Sequence, residues 1–294
     1  MSDNTQLTSA SGYNVKNMIF SDPQHNSIPN TVPQISYKRI NISTKNPDGT
    51  VGDLIIPTSK LFSFGVSENT NPETGKVNGY VLPICLWNKD GASTEEKDFT
   101  DTIDNIVEKC KDHLVSVKDD IEVYDLSKSD LKKFNPLYWK REKGKIVEGT
   151  GPNLYTKLIL SKKKGNTKIL TMFYNDRGEE IDPYTLLGKY CHVNCAIKIE
   201  SIFIGNKISL QIKLYEAEVT LIDTGMKRML KKRPPSIRKV TESSSRPLDN
   251  KDDDEDSEAS IKDSEDEEEV EVESSQPKKK VVKRKVKKVV KKKN

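Results

Sequence analysis

Apolar and polar residues alternate most regularly between Tyr190 and Val219. Val193, Cys195, Ile197 and Ile199 alternate with His192, Asn194, Lys198 and Glu200. After Gly205-Asn206, Ile208, Leu210, Ile212 and Leu214 alternate with Ser209, Gln211, Lys213 and Tyr215. A period of two marks a half-buried strand. Two such runs around a glycine-containing dipeptide predict a long hairpin with a two-residue turn at positive φ. That turn sets a register in which Ile199 faces Ile212, Ile197 faces Leu214 and Lys198 faces Lys213, with Glu200 opposite Gln211 and Ala196 opposite Tyr215. Like charges directly opposite cost roughly a few tenths of a kcal/mol. Two readings of the lysine pair stand: both ammonium groups extend into water, or they share an anion beside the Tyr215 ring.

Upstream, the pattern is weaker but still favours strands. The first 33 residues are polar and irregular and read as a flexible arm ending in Pro29–Pro33. Gln34–Ser43, Asp53–Pro57, Leu61–Val66 and Val77–Trp87 read as strands. Asn46-Pro47-Asp48-Gly49 and Asn69–Gly75 separate them, as a turn and a loop. Pro83 places its strand at an edge or a bulge. Ser93–Val117 has helical periodicity, with Phe99, Ile103, Ile106, Val107, Cys110 and Leu114 on one stripe. Ser93 and Glu96 form a capping box at its start. A shorter helix is expected over Leu126–Phe134, before Pro136. Gly144–Pro152 reads as a connector, and Leu154–Leu160 and Thr167–Tyr174 as strands around a lysine-rich tip. A short helical or irregular link follows at Asp182–Leu187. Strands joined by hairpins, with few helices, favour a mainly β (α+β) domain built as a small antiparallel barrel with one covering helix.

Charge divides the chain more sharply than hydropathy. Of 294 residues 32% are charged and 33% hydrophobic, and the net charge is only +4. Residues 251–275 carry 14 acidic side chains against two lysines, whereas residues 278–293 carry 11 basic ones and none acidic. Blocks of like charge on this scale behave as solvated interaction tails. The expected organisation is therefore an arm (1–33), a barrel domain (34–225) with a helical insertion (93–135), and a long disordered tail (226–294). No run of 18 apolar residues and no charged-then-apolar leader are present, so neither a membrane span nor a secretory signal is expected. The four cysteines are then expected reduced, inside a cell.

Candidate chemistry points to binding and away from catalysis. Three histidines, no nucleophile elbow, no phosphate-cradling glycine loop and no paired carboxylates leave no enzyme constellation. Cys191-His192-x-x-Cys195 lacks the tight paired spacing of structural zinc, and both cysteines fall on the apolar strand face, so no metal or other cofactor is expected. Phe134–Lys145 (FNPLYWKREKGK) sets Tyr138 and Trp139 directly before Lys140, Arg141, Lys143 and Lys145. Rings beside cations suit single strands, because bases stack on rings while cations follow the phosphates. The other reading of Tyr138 and Trp139 is that they anchor a linker to the core. Lys162, Lys163 and Lys164, the Lys198/Lys213 pair and Tyr215 extend the candidate surface. The terminal lysine block can bind phosphates without sequence preference, or serve as a nuclear localisation signal.

Three segments carry a resemblance: GYVLPICLWNKDG (79–91), PNLYTKL (152–158) and GKYCHVNCAIKIESIFIGNKISLQIKLYEAEV (188–219). They resemble a family of large nucleocytoplasmic DNA virus proteins that includes single-stranded-DNA-binding proteins, similar in layout to the poxvirus type. The resemblance spans about Gln34–Val219 and assigns no contact residue. It implies an OB-like barrel, sequence-independent binding of displaced strands during viral DNA replication, recombination or repair, and homo-oligomerisation along the DNA. Replication proteins would be partners through the acidic block, in the host cytoplasm, the nucleus or the virion. An alternative makes the chain a virion packaging protein that holds duplex DNA with its basic tail.

Overall fold

A computed structural model describes residues 2–28, 34–72, 74–87, 91–147, 149–163 and 166–222. The chain opens with short strands β1 (Gln6–Leu7), β2 (Met18–Phe20) and β3 (Gln24–Ser27). It continues with β4 (Ser36–Lys45), β5 (Val51–Pro57), β6 (Leu61–Ser63), β7 (Ser67–Thr70) and β8 (Val77–Cys85). Helix α1 (Thr94–Ser116) precedes β9 (Leu137–Tyr138), β10 (Arg141–Glu142), β11 (Lys145–Ile146) and β12 (Asn153–Leu158). Then follow β13 (Leu160–Lys163), β14 (Asn166–Ile169), β15 (Met172–Asn175), β16 (Cys191–Ile204) and β17 (Ile208–Leu221).

Five of these strands close on themselves. β16 pairs with β6, β6 with β8, β8 with β12, β12 with β17, and β17 returns to β16. Only the β12–β17 contact in this ring is parallel. In chain order the wall runs first, second, third, fifth, fourth, a mainly β, OB-like barrel. Its interior is filled by the apolar alternation of the hairpin: Ile197, Ile199, Ile202, Leu210, Ile212 and Leu214 are buried with Leu82, Ile84, Leu154 and Leu158. β4 and β5 extend the sheet from β16.

Helix α1 forms as its pattern requires. The Ser93 hydroxyl accepts the Glu96 N–H at 3.2 Å, and Glu96 accepts the Ser93 N–H at 2.6 Å, completing the capping box. Its stripe from Phe99 to Leu114 is buried in the same core as the barrel strands. The second expected helix shrinks to a 3-10 turn, Asp130–Phe134, which is kinked at Leu131 and ends at Asn135, whose backbone is extended as a residue before proline prefers.

Four expectations change. Residues 2–28 are not a flexible arm: β1 runs parallel to β5, and β2 and β3 pair with β4. Met18 and Ile28 are buried, Phe20 stacks on His113 at 4.0 Å, and Ala10 accepts the Thr102 hydroxyl at 2.7 Å. A strap held by backbone ladders and isolated apolar anchors needs no periodic pattern, so composition alone misread it.

The hairpin turn spans Gly205–Lys207, because Ile204 pairs with Ile208. Lys198 still faces Lys213, and Ile197 and Ile199 face Leu214 and Ile212, because a bulge at Glu200 restores the register; a second bulge at Tyr215 shifts it again. Ser201, not Glu200, therefore faces Gln211, and Ala196 faces Glu216. Pro83 lies on an inner wall strand, which carries its bulge at Asn78 and not at the proline. Pro83 itself sits opposite the break between β6 and β7, where its carbonyl accepts the Phe64 N–H and the Ser63 hydroxyl. A residue's N–H and C=O leave a strand on the same side, so the missing donor falls where no partner strand runs.

The expected strands around the lysine-rich tip each divide in two. Thr171 Oγ1 accepts the Ile159 N–H at 2.8 Å and donates to the Leu214 carbonyl at 2.7 Å, which separates the β13–β14 hairpin from the wall. Residues 29–33, Lys164 and the whole of 223–294, including both charged blocks, lie outside the described residues.

Candidate nucleic-acid interface

The candidate surface is the outward side of the barrel wall where β8, β12 and β9 lie side by side. In β12 Leu154, Thr156 and Leu158 point inward, so Asn153, Tyr155 and Lys157 point out. Asn153 is opposite Cys85 on one side and Tyr138 on the other, and Tyr155 is opposite Pro83. Tyr138 reaches diagonally to Tyr155, edge to face, with ring centroids 5.2 Å apart. It remains 59% exposed, so much of the ring is accessible to solvent.

Two residues intervene after Tyr138 before the chain makes a basic hairpin, which takes up the first three residues of the expected Gly144–Pro152 connector. Arg141 faces Ile146 and Glu142 faces Lys145 around the two-residue turn Lys143-Gly144. Both turn residues have positive φ, 50° and 82°, as the type I′ hairpin requires. Lysine is an unfavourable choice at such a position, and holding it there projects its ammonium group from the hairpin tip. Lys140, Arg141, Lys143 and Lys145 are all exposed. Lys140 lies 3.4 Å from Glu142, an exposed ion pair that phosphate can compete for.

Other expected site residues are placed differently. Trp139 is half-buried against the core and meets Trp87 edge to face at 5.5 Å, so it anchors β9. Tyr138 therefore supplies the open ring of this dipeptide. Lys198 and Lys213 neither extend into water nor stand ready for an anion. Lys198 is 3.2 Å from Asp53 and Lys213 is 3.8 Å from Glu200, all four side chains being largely buried. The carboxylates resolve the like-charge contact that the register creates. Tyr215, displaced onto its bulge, is half-buried. Lys162 and Lys163 lie in β13, and Lys164 is outside the described residues.

Two residues the sequence reading left unassigned join the surface. Tyr155 forms the second ring of the pair. Lys157, two residues on, donates to Gln211 Oε1 at 2.9 Å and aligns with Lys213 on β17. Their signal was available in the alternation of Asn-Leu-Tyr-Thr-Lys-Leu, once the inward side is known.

Three of the four cysteines are core thiols. Cys110, Cys191 and Cys195 are buried. Desolvation pushes the Cys110 thiol up to about 12 and Cys191 up to about 11, and raises Cys195 further. Among the described residues no cluster of three or more His, Cys, Asp or Glu side chains could hold a metal ion. No described helix is long and apolar enough to cross a membrane.

An OB-like barrel with an aromatic and basic outer face is thus the class that fold and site define. Residues 12–260 match the family described as "Protein of unknown function (DUF2738)", and the chain belongs to that family. It is 29% identical over 171 residues to the "Uncharacterized protein 007R" of Invertebrate iridescent virus 3, covering 57% of this chain and 36% of that protein. It is 32% identical over 177 residues to the "Early 31 kDa protein" of Frog virus 3 (isolate Goorha), covering 59% of this chain and 66% of the relative. The matched stretches thus span less than two thirds of either viral relative. A solved structure, gp2.5, a single-stranded DNA binding protein encoded by bacteriophage T7, aligns with TM-score 0.35 and 13% identity over 60% of this chain and 92% of its own.

Proposed function

We propose that this protein binds single-stranded DNA without sequence preference through the outer wall of its barrel, and that it is not an enzyme. The observation that carries this reading is the open Tyr138 ring braced on Tyr155 beside the basic β10–β11 hairpin. Rings accept any base, because every base has a π-face, and the hairpin cations neutralise the phosphates of a strand lying across them. A duplex hides its bases and can use only the cations. In this reading the protein coats displaced strands during viral DNA replication, recombination or repair, as a homo-oligomer, and the acidic block recruits replication proteins.

The eleven cations of residues 278–293 favour a second reading, in which the tail holds duplex DNA for packaging. Affinities of the full chain for oligo-dT and for a duplex of equal length, measured across a salt series, separate the two. Binding of oligo-dT that persists at salt concentrations where duplex binding is gone is expected, because stacking releases no counterions. Equal affinities that fall together with salt would assign binding to the tail.

A further inference from the structure

A second group of rings sits on the same wall. In β6 Leu61 and Ser63 point inward and Phe62 outward, opposite His192 of β16. Phe62 meets Phe64 edge to face at 5.1 Å and Tyr190 at 5.8 Å; Phe64 meets Tyr190 at 6.1 Å and His192 lies 6.2 Å from Phe62. Phe64 is 40% and Tyr190 57% exposed, so the cluster is too open to serve as core. Lys60 and Lys189, both exposed, precede its two strands.

The strand register connects this cluster to the tyrosine pair. Phe62 is opposite Cys85, Cys85 opposite Asn153, and Asn153 opposite Tyr138. Residues directly opposite share a side of the sheet, so His192, Phe62, Cys85, Asn153 and Tyr138 form one outward row across the wall. Small side chains in its middle leave a low floor between two raised aromatic ends. Three inter-strand steps of about 4.8 Å separate Phe62 from Tyr138, roughly 14 Å. A stacked strand rises about 3.4 Å per nucleotide, so this gap corresponds to about four nucleotides.

We infer that Phe62, Phe64 and Tyr190 form a second base-stacking platform, with Lys60 and Lys189 as its phosphate partners. A single strand then crosses the barrel at right angles to β6, β8 and β12, from this platform to the Tyr138–Tyr155 pair. Exposed aromatic clusters also mark protein interfaces. The shared row and the flanking lysines favour nucleic acid here. The inference rests on the proposed single-strand reading.

The test compares a thymidine trimer with a twelve-mer on the full chain, using F64A/Y190A and, as a control that keeps the ring, Y190F. A trimer is too short to engage both platforms together, whereas the twelve-mer spans them. F64A/Y190A is expected to weaken twelve-mer binding about tenfold or more and to reduce the affinity gained on going from trimer to twelve-mer, with Y190F close to wild type. Unchanged twelve-mer affinity in F64A/Y190A would overturn the second platform while leaving the first intact. A wild-type protein that binds neither oligomer would instead overturn the single-strand reading itself.

Discussion

Replacing Tyr138 or Tyr155 by alanine is expected to lower oligo-dT affinity about five- to 150-fold each, since a stacked base is worth about 1–3 kcal/mol by alanine substitution. The two rings touch at 5.2 Å, so the double variant loses less than the product of the single effects. Tyr138→Phe retains the ring and most of the affinity. The salt slope stays unchanged in all four, because none removes a phosphate contact. Charge removal in the hairpin has the opposite signature: each of Arg141→Ala, Lys143→Ala and Lys145→Ala flattens the slope by about one and leaves stacking in place. Filter binding or anisotropy across a salt series reads both quantities. Tyrosine variants that bind like wild type would remove the platform from the mechanism.

Asp53→Ala is expected to cost about 3 kcal/mol of folding stability, the range for stripping one partner from a buried ion pair. Lys198 would then face Lys213 across the hairpin with its 3.2 Å partner gone, and Thr5 Oγ1 would lose its 3.3 Å bond to Asp53 as well. For a domain of this size the unfolding midpoint should fall by about 6–12 °C. Adding Lys198→Met removes the stranded charge, and most of the loss is recovered. Oligo-dT affinity of the folded double variant should match wild type, since Lys198 is committed to the fold. A Lys198→Met protein of unaltered stability but weakened binding would return this lysine to the interface.

The lysine pair shows how far patterning reaches. Alternation and turn composition located the hairpin and placed Lys198 opposite Lys213, because a buried face tolerates no slip at its centre. The bulges at Glu200 and Tyr215 were not legible, since one extra residue leaves the alternation on either side looking intact. Nor was the neutralising role of Asp53, which lies far away in sequence and meets Lys198 only because β5 joins β16. Helix α1 was read nearly to the residue, because a capping box and a helical stripe are local signals. The N-terminal strap was missed for the converse reason: its anchors Met18, Phe20 and Ile28 are spaced by the sheet they dock on.

The interface was legible in the same uneven way. Aromatic and basic residues side by side at 138–145 marked the stretch on which the candidate surface is built. Whether Tyr138 or Trp139 stays open depends on the strand's two sides, and the pairing of β9 with β12 turns the tyrosine outward. Phe62 and Phe64, Tyr155 and Tyr190 are scattered over three segments, and only barrel closure assembles them on one wall.

Photocrosslinking of the full chain to an oligo-dT carrying iodinated deoxyuridine, followed by mapping of the modified peptides, tests the central claim most directly. Adducts on Tyr138 and Tyr155 are predicted, because halogenated bases couple to the rings on which they stack. Adducts confined to residues 223–294 would contradict the account and give the nucleic acid to the tail.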